Sequence, residues 1–364
     1  MQASFFPSRT VSLYMARMLL TRTFAIIVLL VLVLQTLDAL SESGRILAHP
    51  GNGQDDVWRY ISLRAPGIAQ QFLPFSVLGA ALFTMSTLNH NSEVIALKAA
   101  GLSAHQVLAP LIAASMIVAA VSFGFNELVA VPATATLDEW KKVEYGPLPV
   151  DHGDRLNVWV RDGDDLVNVE QVRGRGDKAR LTNVTVFYRA HGTLASIITA
   201  PSAVHEGGGW RIPGGTQFDI ATSRLVRIGS RIVAPGVRPD QVTLASVDAD
   251  GETFGELRAA IHDLADAGRP TKALEGSLWH KLAAPISCIL MPLLASVAAF
   301  GLARSGRLLL RAVIGMALGF AYFVADSFAL AMGNLGAYPP LLAAWAPFLL
   351  FLLIGELVLI RTEE

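Results

Sequence analysis

Apolar and polar positions follow two regimes along this chain. Long apolar runs fill both ends, and short strand-like runs divided by turn residues fill the middle. A helix needs roughly 20 mostly apolar residues to cross about 30 Å of hydrocarbon. Six runs approach or reach that length: Thr23–Leu40, Phe72–Leu88, Val107–Phe125, Leu282–Ala303, Ala312–Met332 and Leu341–Ile360. The fourth carries no charge, and its Pro and Gly are tolerable in lipid because neighbouring helices can satisfy the freed backbone groups. The pattern predicts an α-helical polytopic membrane protein, three spans on either side of an inserted all-β domain, sandwich or jellyroll-like. Its divisions are 1–139 for the first spans, 140–252 for the β domain, 253–280 for a linker helix at the membrane surface, and 281–364 for the last spans.

Within the insert, LNVWV and LVNVEQV flank Asp162-Gly163-Asp164-Asp165, and VTVFYR and TLASIIT flank Ala190-His191-Gly192. Both pairs read as hairpins. GWRI, TQFDI, LVRIGSRIV and QVTLASV follow, set off by glycine and proline clusters, for about eight strands in a two-sheet domain. From Thr253 the period becomes helical.

Charge orients the spans, because Lys and Arg in short loops are retained on the cytoplasmic side. Arg9, Arg17, Arg22, Lys98, Arg304, Arg307, Arg311 and Arg361 lie on one side. On the other, Arg45, Arg59 and Arg64 are offset by Glu42, Asp55 and Asp56. Both termini are therefore expected in the cytoplasm and the β domain outside, in a periplasm-like compartment. Ala39-Leu40-Ser41 has the form of a signal cleavage site, but the run before it is long for a signal peptide. The net charge of −1 argues against nucleic acid as a partner. The single cysteine, Cys288, falls inside the fourth span, so the β domain is expected to fold without disulfides.

Catalytic signatures are missing from the sequence. There is no G-x-x-x-x-G-K-[ST] to hold ATP, no H-E-x-x-H, no G-x-S-x-G, and the histidines lack metal-ligand spacing. No cofactor, metal or catalytic residue is expected in this chain. The loop between spans two and three is the most informative cytoplasmic segment: NHNSEVIALKAAGLS. Ser92 is placed to cap a two-turn helix, Glu93 to meet the positive helix start, and Gly101 to end it in the left-handed conformation. Val94, Ile95 and Leu97 are then available for burial and Glu93 for a cation. The segment reads either as a docking helix or as a loop helix buried against its own bundle.

NSEVIALKAAGLS resembles the coupling helix of the lipopolysaccharide-export permeases, the LptF/LptG (YjgP/YjgQ) family. NVWVRDGDDLVNVEQV is similar to the opening strands of that family's jellyroll, FNELVAVPAT to the exit of its third span, and SLWHKLAAP to the entry of its fourth. QTLDAL, with Asp38, looks more like the LptG branch than the LptF branch. The resemblance covers essentially the whole chain. It implies a non-catalytic permease subunit working with an LptB ATPase dimer that binds ATP and Mg, with an LptF-like permease and with LptC. Lipopolysaccharide, through its lipid A, would enter laterally between spans one and five of the two permeases.

The resemblance also assigns expected roles. Asn91, Ser92, Glu93, Leu97 and Gly101 would couple to the ATPase, with Glu93 meeting a basic residue there. Gln35, Asp38, Phe320, Phe323 and Asp326 would line the substrate path or lateral gate. Some relatives carry lysines near the end of span one, where this chain has Gln35, Ser41 and Glu42. Asp326, an acid well inside span five, is expected to hydrogen-bond across the gate, to Gln35 or to another subunit, or within its own bundle. Glu356 reads as structural. Phe320, Tyr322, Phe323 and Phe328 serve helix packing or an apolar wall for acyl chains. Two readings from other classes are an ion-coupled secondary transporter using Asp326 and Glu356, and a membrane-anchored periplasmic binding or sensor protein.

Overall fold

The computed structural model describes residues 7–147, 155–173, 179–190, 193–239, 242, 248–266, 269–301 and 308–363. Helix α1 spans Arg9–Ala48 and starts at Ser8, whose hydroxyl accepts from the Val11 amide at 3.4 Å. Helix α2 spans Gln54–His90 and contains Pro66 and Pro74. Short helix α3, Glu93–Ala99, precedes α4, Ala104–Phe125. Span three then passes through a π-turn, Asn126–Ala130, into α5, Val131–Lys142. The turn has a local cause: Pro132 has no amide to donate to the Leu128 carbonyl and its ring crowds that carbonyl, so the backbone widens before it.

After the β domain come α6, Phe254–Asp266, and the last three spans: α7, Lys272–Gly301; α8, Leu308–Asn334; and α9, Pro340–Glu363. Among the described residues, six helices are long and apolar enough to cross a membrane. They outrun their apolar cores: at 1.5 Å per residue α1 is about 60 Å long, twice the hydrocarbon thickness. The polar stretch Gln54–Gln71 is thereby helix and not loop. Arg304 and Arg307, used for orientation, lie outside the described residues.

Helix α7 is the centre of the bundle, packing on α2, α4, α8 and α9, with Cys288, Leu290, Leu294 and Ala295 buried. Helix α1 packs on α2 and α4, while α8 packs on α7, α9 and α2. Without a hydrophobic drive between helices in lipid, close approach comes from small residues. A side chain at Gly319 would strike Leu78, one at Gly333 would strike Ala343, and one at Gly355 would strike Leu293.

The β domain has strands β1 Arg155–Asp162, β2 Asp165–Arg173, β3 Arg180–Ala190, β4 Thr193–Glu206, β5 Gly209–Ile212, β6 Gly215–Asp219, β7 Arg224–Ile228 and β8 Arg231–Val233. All the pairings are antiparallel, and the two leading hairpins are present. In place of the expected two sheets, the described strands form one. Strand β4 is long enough to pair with β6 through Ser196–Thr199 and with β5 through Val204–Glu206, so the two arms share a strand. LVRIGSRIV divides into β7 and β8, and QVTLASV lies outside the described residues except for Val242, which is buried. Period-two alternation puts Val158, Val160, Val167, Val169, Val184, Val186, Ile198 and Ala200 inward around Trp210, whose indole donates to the Val237 carbonyl at 2.9 Å.

The junction between bundle and domain is aromatic. Ile46, Val57, Tyr60, Leu137, Trp140 and Tyr145 form a separate core. Asn52 donates to both the Ile46 and Tyr145 carbonyls at 2.9 Å. Tyr145 holds a left-handed backbone (φ 63°) and donates its hydroxyl to Glu42 at 2.9 Å. Burial and that carboxylate push the Tyr145 phenol well above its ordinary pKa.

Candidate functional site

Two places bear on function, one at each end of the bundle. At the end where α1 begins and α9 finishes, α3 sits between α2 and α4. Tyr14 of α1 reaches Glu93 at 3.4 Å, and His105 at the start of α4 meets Glu356 of α9 at 3.1 Å. The Ser92 capping expectation is corrected: Ser92 itself holds the left-handed backbone (φ 59°), and its side chain makes no cap bond. Asn91, where α2 ends, takes up the job of fixing Glu93, donating to its carboxylate at 3.2 Å. Gly101 does close the helix, at φ 88°. Val94 is buried and Leu97 packs on the bundle core, but Ile95 points out, 66% exposed. Helix α3 is therefore anchored on one face and open on the other.

Toward the other end, a cavity of about 410 Å³ lies among α2, the π-turn, α7 and α8. Arg64, Gln70, Gln71 and Phe75 come from α2, Asn126 from the π-turn, His280 and Lys281 from α7, and Tyr322, Phe323 and Asp326 from α8. Phe323 meets Phe75 with ring centres 5.3 Å apart. His280 Nε2 and Asp326 Oδ2 are 2.9 Å apart, joining α7 to α8. Lys281 stands in the field of Glu127, Asp248, Asp250 and Glu252.

The expected bond from Asp326 to Gln35 does not form. Asp326 faces α7, its packing neighbour, whereas Gln35 is buried on α1 (6% exposed) with neither amide atom hydrogen-bonded. Asp38 is also satisfied within the chain: it accepts from the Tyr60 hydroxyl at 2.6 Å and lies 3.4 Å from Arg64 Nε, fastening α1 to α2. Phe320, next to the cavity, is 62% exposed. Asp326 and Glu356 are held by different histidines on different helices, and Glu356 lies five positions past Phe351, the residue that meets Tyr322 edge-on. That separation does not suit a two-acid relay.

Reasoning from sequence did not single out Arg64, Asn126, His280 or Lys281. The signal was nonetheless present, since Asn126 belongs to FNELVAVPAT and His280-Lys281 to SLWHKLAAP. The fold brings these two distant segments to one cavity wall.

A family model described as lipopolysaccharide export system permease LptF/LptG matches residues 13–361. The chain belongs to the LptF/LptG family. It is 24% identical over 310 residues to the lipopolysaccharide export system permease protein LptG of Escherichia coli K12, covering 83% of this chain and 84% of that protein. It is 23% identical over 371 aligned residues to the protein of the same description from Haemophilus influenzae, covering 98% and 99%. As an LptF/LptG permease with six apolar helices, the chain is a multi-pass inner-membrane protein of the lipopolysaccharide export system.

Proposed function

We propose that this chain is one half of a permease that takes lipopolysaccharide laterally from the inner membrane and passes it toward the outer membrane, powered by a separate ATPase. The observation that carries the reading is the cavity, where the cations Arg64 and Lys281 and the polar His280 ring stand beside the aromatic surface of Phe75 and Phe323, with the acids Asp250 and Asp326 on the same wall. A few polar groups set in an apolar wall suit an anionic amphiphile. Arg64 meets Asp38 through Nε, which leaves its terminal nitrogens for another acceptor. These groups take the place of the span-one lysines of relatives.

Helix α3 is the proposed seat of an LptB-like ATPase dimer, which would hold ATP and Mg. Glu93 and the open face around Ile95 offer a charged and apolar contact, and Leu97 with Gly101 fixes the helix on the bundle. The termini would be cytoplasmic at that end; the β domain would be periplasmic. The uncovered apolar faces of α1, including Phe24, Leu29, Leu32 and Leu37, and of α8, including Phe320 and Phe328, are the surfaces offered to an LptF-like permease and LptC. The test is photo-crosslinking from Phe320 and Phe323 in membranes supplied with ATP. Lipopolysaccharide adducts at these positions are expected; an exporting complex with adducts at neither would place the lipid elsewhere.

A further inference from the structure

The π-turn of span three meets two structures at once. Asn126 lines the cavity and donates through its side-chain amide to Glu127 Oε1 at 3.4 Å, while Glu127 Oε2 accepts the Phe254 amide, the first of helix α6, at 2.8 Å. The Glu127 carboxylate thus bridges a cavity residue and the start of α6. Helix α6 already has a complete local start: Thr253 and Glu256 exchange bonds of 3.0 Å and 3.3 Å. The Glu127 contact therefore adds a tether between elements 127 positions apart to a helix start that is already capped.

The same place gathers both connections of the β domain. Its entry is α5, continuous with the π-turn, and its exit is the segment leading into α6. Gly251 of that exit lies against Ala135 of α5, its ideal Cβ 3.5 Å from the alanine Cβ. A displacement of the β domain thus reaches α5 and α6 together and converges on the π-turn. That turn is where span three yields most readily, because a π-turn is an α-helix carrying one residue too many and lacks the regular bonding that stiffens the helix on either side. We propose that this π-turn, with Glu127 as positioning residue, is the joint through which the β domain and the cavity move together. The inference deepens the reading of the cavity as the wall of the lipid path and rests on it.

The test uses the purified complex with its ATPase. Leu128, 80% exposed, is deleted; this removes the extra residue while α4 and α5 keep their register. Assembly and ATP hydrolysis are expected to persist and lipid release to fall roughly tenfold. A cysteine at Asn126 should label at different rates in nucleotide-free and ATP-trapped parent complexes, and at the same rate in both once Leu128 is gone. Glu127→Ala should behave like the deletion, while Glu127→Gln, which keeps an acceptor oxygen, should export like the parent. A disulfide between Ala135→Cys and Gly251→Cys, at a spacing such bonds accept, should leave export unchanged. Parental export without Leu128, equal loss in both Glu127 variants, or arrest by the disulfide would each overturn the joint. Nucleotide-responsive labelling with no lipid adduct at Phe323 keeps the joint and removes the lipid path; adducts with unresponsive labelling do the reverse.

Discussion

His280 and Asp326 meet through a 2.9 Å contact that ties α7 to α8 on the cavity wall. With the proton on Nε2 the imidazole donates to the carboxylate, and neither side chain is fully exposed. Hydrogen bonds inside membranes average about 0.6 kcal/mol and reach about 1.7. Asp326→Ala and His280→Ala are therefore expected to leave insertion and subunit assembly intact while impairing lipid release. The double variant should be no worse than either single one. Melting in detergent and release assays on the four proteins of the cycle measure this, and additive losses would mean the two residues act separately.

Glu93→Lys is expected to separate coupling from folding. The bonds to Asn91 and Tyr14 are exposed ones, so stability should change by less than about 1 kcal/mol. The charge offered to the proposed ATPase partner is reversed. Co-purification of the ATPase should fall in the variant, with membrane levels of the chain unchanged.

Gly333→Ala tests the turn between α8 and α9. The new methyl would collide with Ala343, a residue with no rotamer to change, so the two helix ends must separate. Overpacking of this kind costs about 1–3 kcal/mol. Ala343→Gly in the same chain should restore part of the loss in a thermal melt.

Acid should loosen the β6–β7 hairpin. The Asp219 carboxylate accepts from the Thr222 amide and hydroxyl, both at 2.8 Å, and these bonds hold its pKa below the usual 3.8. A carboxylate with a depressed folded pKa contributes stability above its unfolded pKa and loses it as pH falls through the folded one. Asp219→Ala should exchange hairpin amides faster than the parent at neutral pH. The difference should fade once the pH drops below 3.8 and through the folded value.

The architecture was legible because both of its signals are periodic. Apolar runs marked the six helices, and alternation with Gly-rich turns marked the hairpins of β1 to β4. Helix ends were less so, since Gln54–Gln71 is polar yet helical, its long side chains losing little freedom in a helix. One sheet in place of two follows from the reach of β4, and strand length is not written in alternation. The site shows the same division. Glu93 and Gly101 lie where local rules put them, whereas Ser92 gave way to a chain reversal at the end of α2. The partners of Asp326 and Asp38 depended on which helices pack together, information carried by contacts such as Gly319 on Leu78 and not by any single segment.

The shared strand also bears on how the chain is made. Every described pairing in the β domain joins strands that are neighbours in sequence or lie within one short arm, and the described buried residues around Trp210 all precede α6. Local pairings of this kind close quickly because little chain entropy must be lost before each contact forms. The domain can therefore fold during synthesis before α7, on which the membrane bundle centres, exists. Chains truncated ahead of α7 should already yield a protease-resistant fragment, so the two halves of the bundle assemble around a finished domain.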